Sequence, residues 1–411
     1  MLKQMGENAK IAARELATAG TAQKNAALYA IAKSLRDGKE KIIENNLLDL
    51  QNGKSAGLSS GLLDRLALNG ERIEGMADGC EQVARLSDPI GEIDMGSVRE
   101  NGLKISRVRV PLGVIGIIYE ARPNVTADAA ALCLKSGNAV ILRGGKEAIH
   151  SNIAIAEIMR SAVLSAGLPE DAIQLIADTT RQSANELMAL TGYLDVLIPR
   201  GGAGLIQAVL QNSKVPVIET GTGNCHAFVD ESADLNMAEN IVFNAKCSRV
   251  SVCNALENLL VHEKIADRFL PQIAKKLAEC NCTILGCEKT AAILNCAVAT
   301  NEDYATEFLD YKIAVKVVND IDEAISHIYK YSSGHSECII TNSLSNAEKF
   351  QKEVDAAAVY VNASTRFTDG NVFGFGAEIG ISTQKLHARG PMGLTALTSM
   401  KYLINGNGQI R

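Results

Sequence analysis

Apolar residues in the first 86 positions recur every three or four residues, which is typical of amphipathic helices. The pattern runs through residues 7–50, 62–68 and 73–86, and Asp37-Gly38 interrupts it as a turn signal. Asp88-Pro89 ends the helical character. No residue in this part of the chain suggests a chemistry of its own, so we predict a helical layer with a solvated charged face.

A different pattern follows, in which apolar and polar residues alternate from 97 to 110 around Asn101-Gly102. Alternation on both sides of an Asn-Gly pair predicts a β-hairpin with a two-residue turn. The last residues, 394–411, begin with a similar strand-like pattern. We therefore expect the hairpin and the tail to form a small third sheet, and we take this sheet to be an assembly arm.

From Pro111 onward, short apolar runs alternate with helical patterns. Such alternation predicts a parallel sheet with right-handed helical crossovers, and ligands bind at the carboxyl ends of its strands. A second alternation begins after Asp234, so the predicted fold class is α/β with two such domains. The predicted strands are 114–119, 139–143, 173–177, 196–199 and 215–219, followed by 256–261, 283–285, 312–318, 337–341 and 357–362.

Two of these strand ends are rich in glycine and basic residues. The second strand leads into Arg143-Gly144-Gly145-Lys146, and the fourth leads into Arg200-Gly201-Gly202 before a helix. Glycine lets backbone N–H groups approach a phosphate, and a helix N-terminus favours negative charge. Gly201 and Gly202 are therefore candidate phosphate-binding residues. The alternative is that the glycines only make tight turns, since neither a Walker loop nor a G-x-G-x-x-G pattern occurs.

Cys253 lies between a helical pattern that ends near Ala245 and the apolar strand 256–261. A thiol on such a loop is a candidate nucleophile for a carbonyl carbon, although many unpaired cysteines are simply small buried apolar residues. Glu219 ends the fifth predicted strand, immediately before a glycine-rich turn. It could act as a base or contact a ligand, but exposed glutamates are common.

Composition narrows the classes of function. The 411 residues are 47% apolar and 21% charged, which suits two or three globular domains. A net charge of −6, no tryptophan and no basic run argue against nucleic-acid binding, and no apolar run is long enough for a membrane span. Ten cysteines without a secretory signal indicate reduced thiols in the cytoplasm. The cysteines at 280, 282 and 287 lack a fourth ligand at zinc spacing, so we expect no metal.

Several motifs together resemble a known family. Residues 110–126 are similar to the strand that leads into an essential asparagine in the aldehyde dehydrogenase superfamily. The narrower form Ala-Arg-Pro-Asn-Val-Thr, with residues 219–226, 244–257 and 364–384, resembles the gamma-glutamyl phosphate reductases, also called glutamate-5-semialdehyde dehydrogenases. The resemblance covers nearly the whole chain with its motifs in order.

The resemblance implies residue roles. Cys253 matches the nucleophile, Asn124 the oxyanion-hole asparagine and Glu219 the general base of the superfamily. The cofactor positions are Arg143 and Lys146 for the adenosine ribose and its phosphate, which favours NADPH, and Glu307 for the nicotinamide ribose. Arg122 and Arg366 are candidates for the carboxylate and phosphate of the substrate, because arginine binds both bidentately. A structural salt bridge is the alternative for each arginine.

The implied activity is the NADPH-dependent reduction of gamma-glutamyl phosphate to glutamate 5-semialdehyde through a cysteinyl thioester, in proline biosynthesis. The alternative is a dehydrogenase that oxidises another aldehyde with water as acyl acceptor. The resemblance further implies a homo-oligomer and functional coupling to glutamate 5-kinase. The implied domains are an NADPH-binding domain (1–96, 111–229), a catalytic domain (230–362), an oligomerisation arm (97–110, 394–411) and a returning linker (363–393).

The chain departs from the family pattern just before the nucleophile. Cys247 stands where threonine is usual, and Val250-Ser251 where Pro-Gly is usual. These changes put the flexibility of the loop in question more than the identity of the nucleophile. They also leave open an oxidised pair between Cys247 and Cys253.

Overall fold

The computed structural model describes the backbone of residues 1–411 and every side chain except that of Ser60. The chain divides into two compact units. The first unit comprises 1–220, 374–380 and 392–411, and the second comprises 221–373 and 381–391. This division falls between 220 and 221, whereas the sequence placed the boundary between 229 and 230. The functions assigned to the domains stay predictions.

The first unit opens with the predicted helical layer. Its helices bury apolar residues at helical spacing, as Leu28, Ile31 and Leu35 do without any exposed surface. Side chains cap two of them, since Ser59 and Asn69 each accept a hydrogen bond from a first-turn backbone N–H. The five helices are α1 (Leu2–Leu16), α2 (Thr21–Asp37), α3 (Lys39–Ser55), α4 (Ser60–Leu66) and α5 (Gly70–Arg85).

Strands and helices then alternate, and four strands form a parallel sheet in the order β5-β4-β3-β6. All six residues of the central strand β3 are buried, as expected for a parallel sheet that is covered on both faces. In chain order the elements are β1 (Ile93–Val98), β2 (Lys104–Pro111), β3 (Val114–Tyr119), α6 (Asn124–Lys135), β4 (Ala139–Arg143), α7 (Ile149–Ser165), β5 (Ile173–Leu175), α8 (Arg181–Met188), β6 (Val196–Arg200) and α9 (Ala203–Asn212).

The predicted fifth strand, 215–219, is wrong. This segment makes a single bridge to β6, between Leu197 and Val217. The Leu197 N–H donates to the Pro216 carbonyl at 2.8 Å, and the Ile218 N–H donates to the Leu197 carbonyl at 3.0 Å. Pro216 has no N–H with which to continue the ladder, so the apolar segment runs beside the sheet without becoming a strand.

The second unit contains a seven-stranded parallel sheet in the order β10-β9-β11-β8-β7-β12-β13. Alternate residues of β7 enter separate cores, with Ala227 packed beside α10 and α11 and Phe228 beside α14 and α15. In chain order the elements are β7 (Cys225–Val229), α10 (Leu235–Cys247), β8 (Leu256–His262), α11 (Glu263–Ala278), β9 (Thr283–Gly286), α12 (Glu288–Leu294), β10 (Ala297–Val298), α13 (Asn301–Ala305), β11 (Lys312–Val318), α14 (Ile321–Tyr331), β12 (Ser336–Ile340), α15 (Leu344–Glu353), β13 (Ala358–Val361), β14 (Ile381–Ser382) and β15 (Gly390–Pro391).

The predicted small sheet is confirmed. β1 and β2 form an antiparallel hairpin, and β16 (Thr398–Asn405) pairs with β2 along its whole length. Gly102 has φ +86° in the turn, a conformation that glycine adopts without strain. Among the described residues, no helix is both long and apolar enough to cross a membrane.

One cysteine pair contradicts the expectation of ten reduced thiols. Cys247 is bonded to Cys280, so the pair with Cys253 considered from the sequence is not formed. Cys247 is the last residue of α10 and Cys280 lies two residues beyond α11, and the two helices pack side by side. This packing brings the two Cα atoms to 6.4 Å, although 33 residues separate them along the chain.

Candidate active site

The first unit gathers its predicted site residues at one edge of the four-stranded sheet. β4, β3 and β6 are parallel neighbours, so their carboxyl ends lie together. β4 ends at Arg143, β6 ends just before Gly201-Gly202, and the loop after β3 carries Arg122 into α6, which begins at Asn124. The sheet thus assembles most of the predicted cofactor residues at the edge where parallel α/β sheets bind ligands.

Arg143 and Lys146 differ in how far they are engaged. The half-buried Arg143 donates through Nη2 to the Thr179 carbonyl at 2.7 Å and to the Thr180 carbonyl at 3.1 Å. Its buried Nε has no hydrogen-bond partner among the described residues. Lys146 is exposed in the short helical turn that follows β4. The exposed ammonium of Lys146 is therefore available to an anion, whereas Arg143 is held by two backbone carbonyls and keeps one buried donor without a partner among the described residues.

The glycine-rich end of β6 already holds a carboxylate. Gly202 caps α9, and its N–H donates to Glu120 Oε2 at 3.0 Å. Glu120 follows β3 directly, and a Cβ at Gly201 would overlap its carboxylate. An acidic group at a helix N-terminus is what the dipole and the unpaired N–H groups of that end favour. The predicted phosphate site thus has the right donors, with Glu120 as their present partner.

Asn124 is the first residue of α6, and its side-chain Nδ2 donates to Asp128 Oδ2 at 2.9 Å. Burial raises the pKa of Asp128 to about 6, although the bond from Asn124 and the charge of Arg200 oppose that rise. Arg122 is half-buried just before the helix, and its carbonyl accepts the Val125 N–H at 3.0 Å. The start of α6 therefore presents one guanidinium and one anchored amide.

Glu219 is half-buried and follows the segment that bridges to β6. The next residue, Thr220, is buried, and its hydroxyl donates to the Pro199 carbonyl at 2.8 Å. Glu219 is consequently anchored at the same edge of the sheet through its neighbour.

In the second unit, the predicted nucleophile lies in the turn that precedes β8. Cys253 is half-buried and takes part in no disulfide. Its carbonyl accepts a hydrogen bond from the buried Cys225 thiol at 3.2 Å. A Cβ at Gly223 would overlap this carbonyl, so only glycine fits at 223 with the loop in this position. The backbone at the nucleophile is thus fixed by close packing and a hydrogen bond.

Gly223 also connects Cys253 with Glu307, because its N–H donates to Glu307 Oε1 at 2.8 Å. Burial raises the pKa of Glu307, and the bond from Gly223 opposes the rise. Two residues that the sequence placed in one site therefore both contact the same glycine.

Arg366 is tied to the loop that carries the nucleophile. Its Nε donates to Ser248 Oγ at 3.1 Å, and Nη1 donates to Oδ1 of Asn254, the residue after Cys253. Asn254 is buried and donates in turn to the Thr368 carbonyl at 2.9 Å. Burial lowers the pKa of Arg366 from its usual value, with the nearby Arg249 acting in the same direction. This cation therefore braces the loop whether or not it also binds substrate.

Comparison with known proteins agrees with these features. Residues 2–286 match the aldehyde dehydrogenase family. The gamma-glutamyl phosphate reductase of Carboxydothermus hydrogenoformans is 62% identical over 408 residues, which cover 99% of this chain and 98% of that protein. The chain belongs to the gamma-glutamyl phosphate reductase family.

Solved structures of this family support the assignment and confirm the predicted fold class. The gamma-glutamyl phosphate reductase of Thermotoga maritima is 52% identical, with a TM-score of 0.97 over 99% of both chains. That of Saccharomyces cerevisiae is 33% identical, with a TM-score of 0.55 over 99% of this chain and 98% of the other.

This member of the gamma-glutamyl phosphate reductase family also contains site residues that the sequence did not reveal. Lys246 and Glu257 flank the nucleophile loop and form an ion pair of 2.6 Å in which neither side chain is exposed. Burial raises the pKa of Glu257 to about 7 against the attraction of Lys246, and its Oε1 accepts the Leu309 N–H at 3.2 Å. Leu309 lies two residues beyond Glu307, so the pair links the nucleophile loop to the Glu307 segment. A lysine in the last turn of a helix gives no sequence signal for such burial.

Proposed function

We propose that this chain reduces gamma-glutamyl phosphate to glutamate 5-semialdehyde and inorganic phosphate with NADPH, through a thioester on Cys253. The observation that carries the proposal is the half-buried Cys253 in the turn before β8, in a chain similar along its full length to gamma-glutamyl phosphate reductases. Gly223 and Cys225 hold the loop that carries this thiol. A fixed loop supports the role of nucleophile, because covalent catalysis needs the sulfur to approach the substrate carbon in a fixed geometry.

The Cys253 thiolate attacks the acyl carbon of the substrate, and the tetrahedral species that forms carries its negative charge on the former carbonyl oxygen. The C–O bond to phosphate then breaks, phosphate leaves with the electron pair, and the acyl group remains on sulfur. Asn124 stabilises the oxyanion through the N–H that Asp128 does not engage. Such a donor is typically worth about 3–4 kcal/mol in the transition state.

The residues present fit the predicted cofactor. Arg143 has a buried Nε without a partner among the described residues, and Lys146, three residues further along the chain, is exposed. The Gly202 N–H already donates to the Glu120 carboxylate, which supports an anion site at this helix N-terminus. These residues would hold the phosphates and adenosine ribose of NADPH, and Glu307 would hold the nicotinamide ribose. Bound NADPH supplies the hydride that reduces the thioester.

The substrate brings two negative groups, and Arg122 and Arg366 are our candidates to bind them. The hydrogen bonds of Arg366 to Ser248 and Asn254 keep a structural role open for that residue. Glu219 has no water to activate in the reductive direction. We assign it proton transfer at the thiol, the step in which a carboxylate could still take part.

The decisive experiment is the phosphate-dependent reduction of NADP by glutamate 5-semialdehyde, which runs the reaction in reverse. Cys253→Ala should abolish turnover and leave NADPH binding unchanged. The matched control is Cys282→Ala, which removes another half-buried cysteine that takes part in no disulfide and lies outside the proposed chemistry, and which should keep activity. Turnover by the Cys253→Ala variant would refute the assignment of Cys253 as the nucleophile. Aldehyde oxidation that proceeds equally well without phosphate would favour the alternative, a dehydrogenase that uses water.

We further assign the β1-β2-β16 sheet to homo-oligomerisation. All six residues of β1 are exposed, and Val98 and Ile404 expose 68% and 61% of their surface. Apolar side chains on the edge strands of a small sheet are more typical of an interface than of a free surface. Val98→Lys and Ile404→Lys should shift the sedimentation coefficient toward the monomer, and an unchanged value would refute the assignment. Functional coupling to glutamate 5-kinase and a cytoplasmic location complete the proposal.

A further inference from the structure

The amide of Asn124 has an anchor within its own helix. Asp128 lies four residues further along α6, where side chains share one face, and its carboxylate accepts the Asn124 N–H at 2.9 Å. Both residues are only partly exposed. The bond therefore joins two side chains that are restricted in their motion and not two flexible surface groups.

The first turn of α6 is itself held in place. Thr126 is buried, and its hydroxyl lies 2.6 Å from the Tyr119 hydroxyl and donates to Asn152 Oδ1 at 3.1 Å. Tyr119 is the last residue of β3, so the start of the helix is fixed to the central strand of its sheet. An anchor on this turn can position an amide more accurately than one on a mobile loop could.

An asparagine amide can present either its NH₂ group or its oxygen in a given direction, because the two ends have nearly the same shape. A carboxylate only accepts hydrogen bonds, so it selects the orientation in which the NH₂ group faces it. The planar amide then fixes the direction of the second N–H. In the opposite orientation the amide oxygen would point toward developing negative charge and would destabilise it.

We infer that Asp128 is a positioning residue of the reductase, which selects the donor orientation of the Asn124 amide for the acyl oxygen. The inference rests on the role proposed above for Asn124. It assigns to Asp128 a function that a purely structural helix-surface bond would not have, namely control over which end of the amide meets the substrate.

The test uses the full-length enzyme and the variant Asp128→Asn, which has nearly the same shape but can donate as well as accept. We expect kcat to fall about 10–100-fold, part of the roughly 10²–10³-fold loss typical of a missing oxyanion donor. The affinity for NADPH should stay unchanged, as measured by cofactor fluorescence. Asp128→Glu keeps an acceptor-only group and should retain more activity than Asp128→Asn.

A double-mutant cycle separates positioning from general damage. In an Asn124→Ala background there is no amide to orient, so Asp128→Asn should cause no further loss of kcat. The inference alone would be overturned if Asp128→Asn lowered kcat equally in the wild-type and Asn124→Ala backgrounds. It would also be overturned if Asp128→Asn kept wild-type kcat while Asn124→Ala was impaired. Wild-type kcat in Asn124→Ala would overturn it together with the proposed oxyanion role. A thermal melt of each variant verifies folding, and Asp128→Glu provides the readout if Asp128→Asn does not fold.

Discussion

Removing one partner of the buried Lys246–Glu257 pair should destabilise the second unit strongly. Neither side chain is exposed, and the two charged groups are 2.6 Å apart. Lys246→Met leaves the Glu257 carboxylate buried with the Leu309 N–H as its remaining partner in the structure. Loss of one member of such a pair typically costs about 3–5 kcal/mol, mostly because the other charge stays without compensation.

The double variant Lys246→Met/Glu257→Gln should recover much of that loss. Glutamine is neutral and still offers Leu309 an acceptor, so the remaining deficit should resemble a weakened hydrogen bond, about 1–2 kcal/mol. The matched control is Lys264→Met, which breaks an ion pair to Glu231 in which the two side chains are 66% and 42% exposed. That surface pair should contribute no more than about 1 kcal/mol.

Urea unfolding at constant protein concentration, followed by circular dichroism, measures these differences. Burial holds the pKa of Glu257 near 7, above its usual value, so the folded state retains a proton that the unfolded state releases. Lys246 opposes this rise, so its removal raises the pKa of Glu257 further and makes the ionised carboxyl more costly. Lys246→Met should therefore be less damaging at pH 6 than at pH 8. A cost of Lys246→Met below about 1 kcal/mol at pH 8, or no recovery in the double variant, would refute the argument.

Three further predictions concern catalysis. Gly223→Ala places a methyl group against the Cys253 carbonyl. It should lower kcat by about 100-fold, since small displacements of a nucleophile have effects of that size. A wild-type kcat in this variant would show that the loop adapts freely. Lys146→Met should raise KM for NADPH much more than KM for NADH, and equal effects would remove this lysine from the 2′-phosphate site. Because burial raises the pKa of Asp128 to about 6, activity should fall below that pH as its carboxylate is protonated, and Asp128→Asn should flatten this part of the pH profile. A profile shared by wild type and Asp128→Asn would assign the pH dependence to another group.

The repeating elements were predictable from the sequence because each leaves a local pattern. Buried parallel strands such as β3 and β4 read as nearly continuous apolar runs, and α2 shows its buried face at helical spacing. The segment 215–219 has the same apolar character, but the proline within it limits its pairing to one bridge. Composition alone cannot distinguish a strand from an apolar segment that lies beside a sheet.

Partnerships across the chain were not predictable. Cys247 was recognised as unusual, but its partner Cys280 comes from the neighbouring helix and not from the nearby nucleophile. Glu120 gave no sign that it would cap the helix at Gly202, because only the adjacency of β3 and β6 brings the two together. Asp128 lies four residues after Asn124, a spacing that places both side chains on one face of α6, but the start of this helix at Asn124 was not predicted.

The pairing of β2 with β16 has a consequence for how the protein is made. Arg109 and Thr398, which share a hydrogen bond in this sheet, are 289 residues apart along the chain. A ribosome adding about 5–20 residues per second needs roughly 15–60 s to cover that distance. During this interval the hairpin emerges with one edge uncovered, while the whole second sheet is being synthesised. A nascent chain stalled before 398 would therefore expose an incomplete edge to chaperones or to neighbouring nascent chains, and assembly through this sheet would have to wait until β16 has been synthesised.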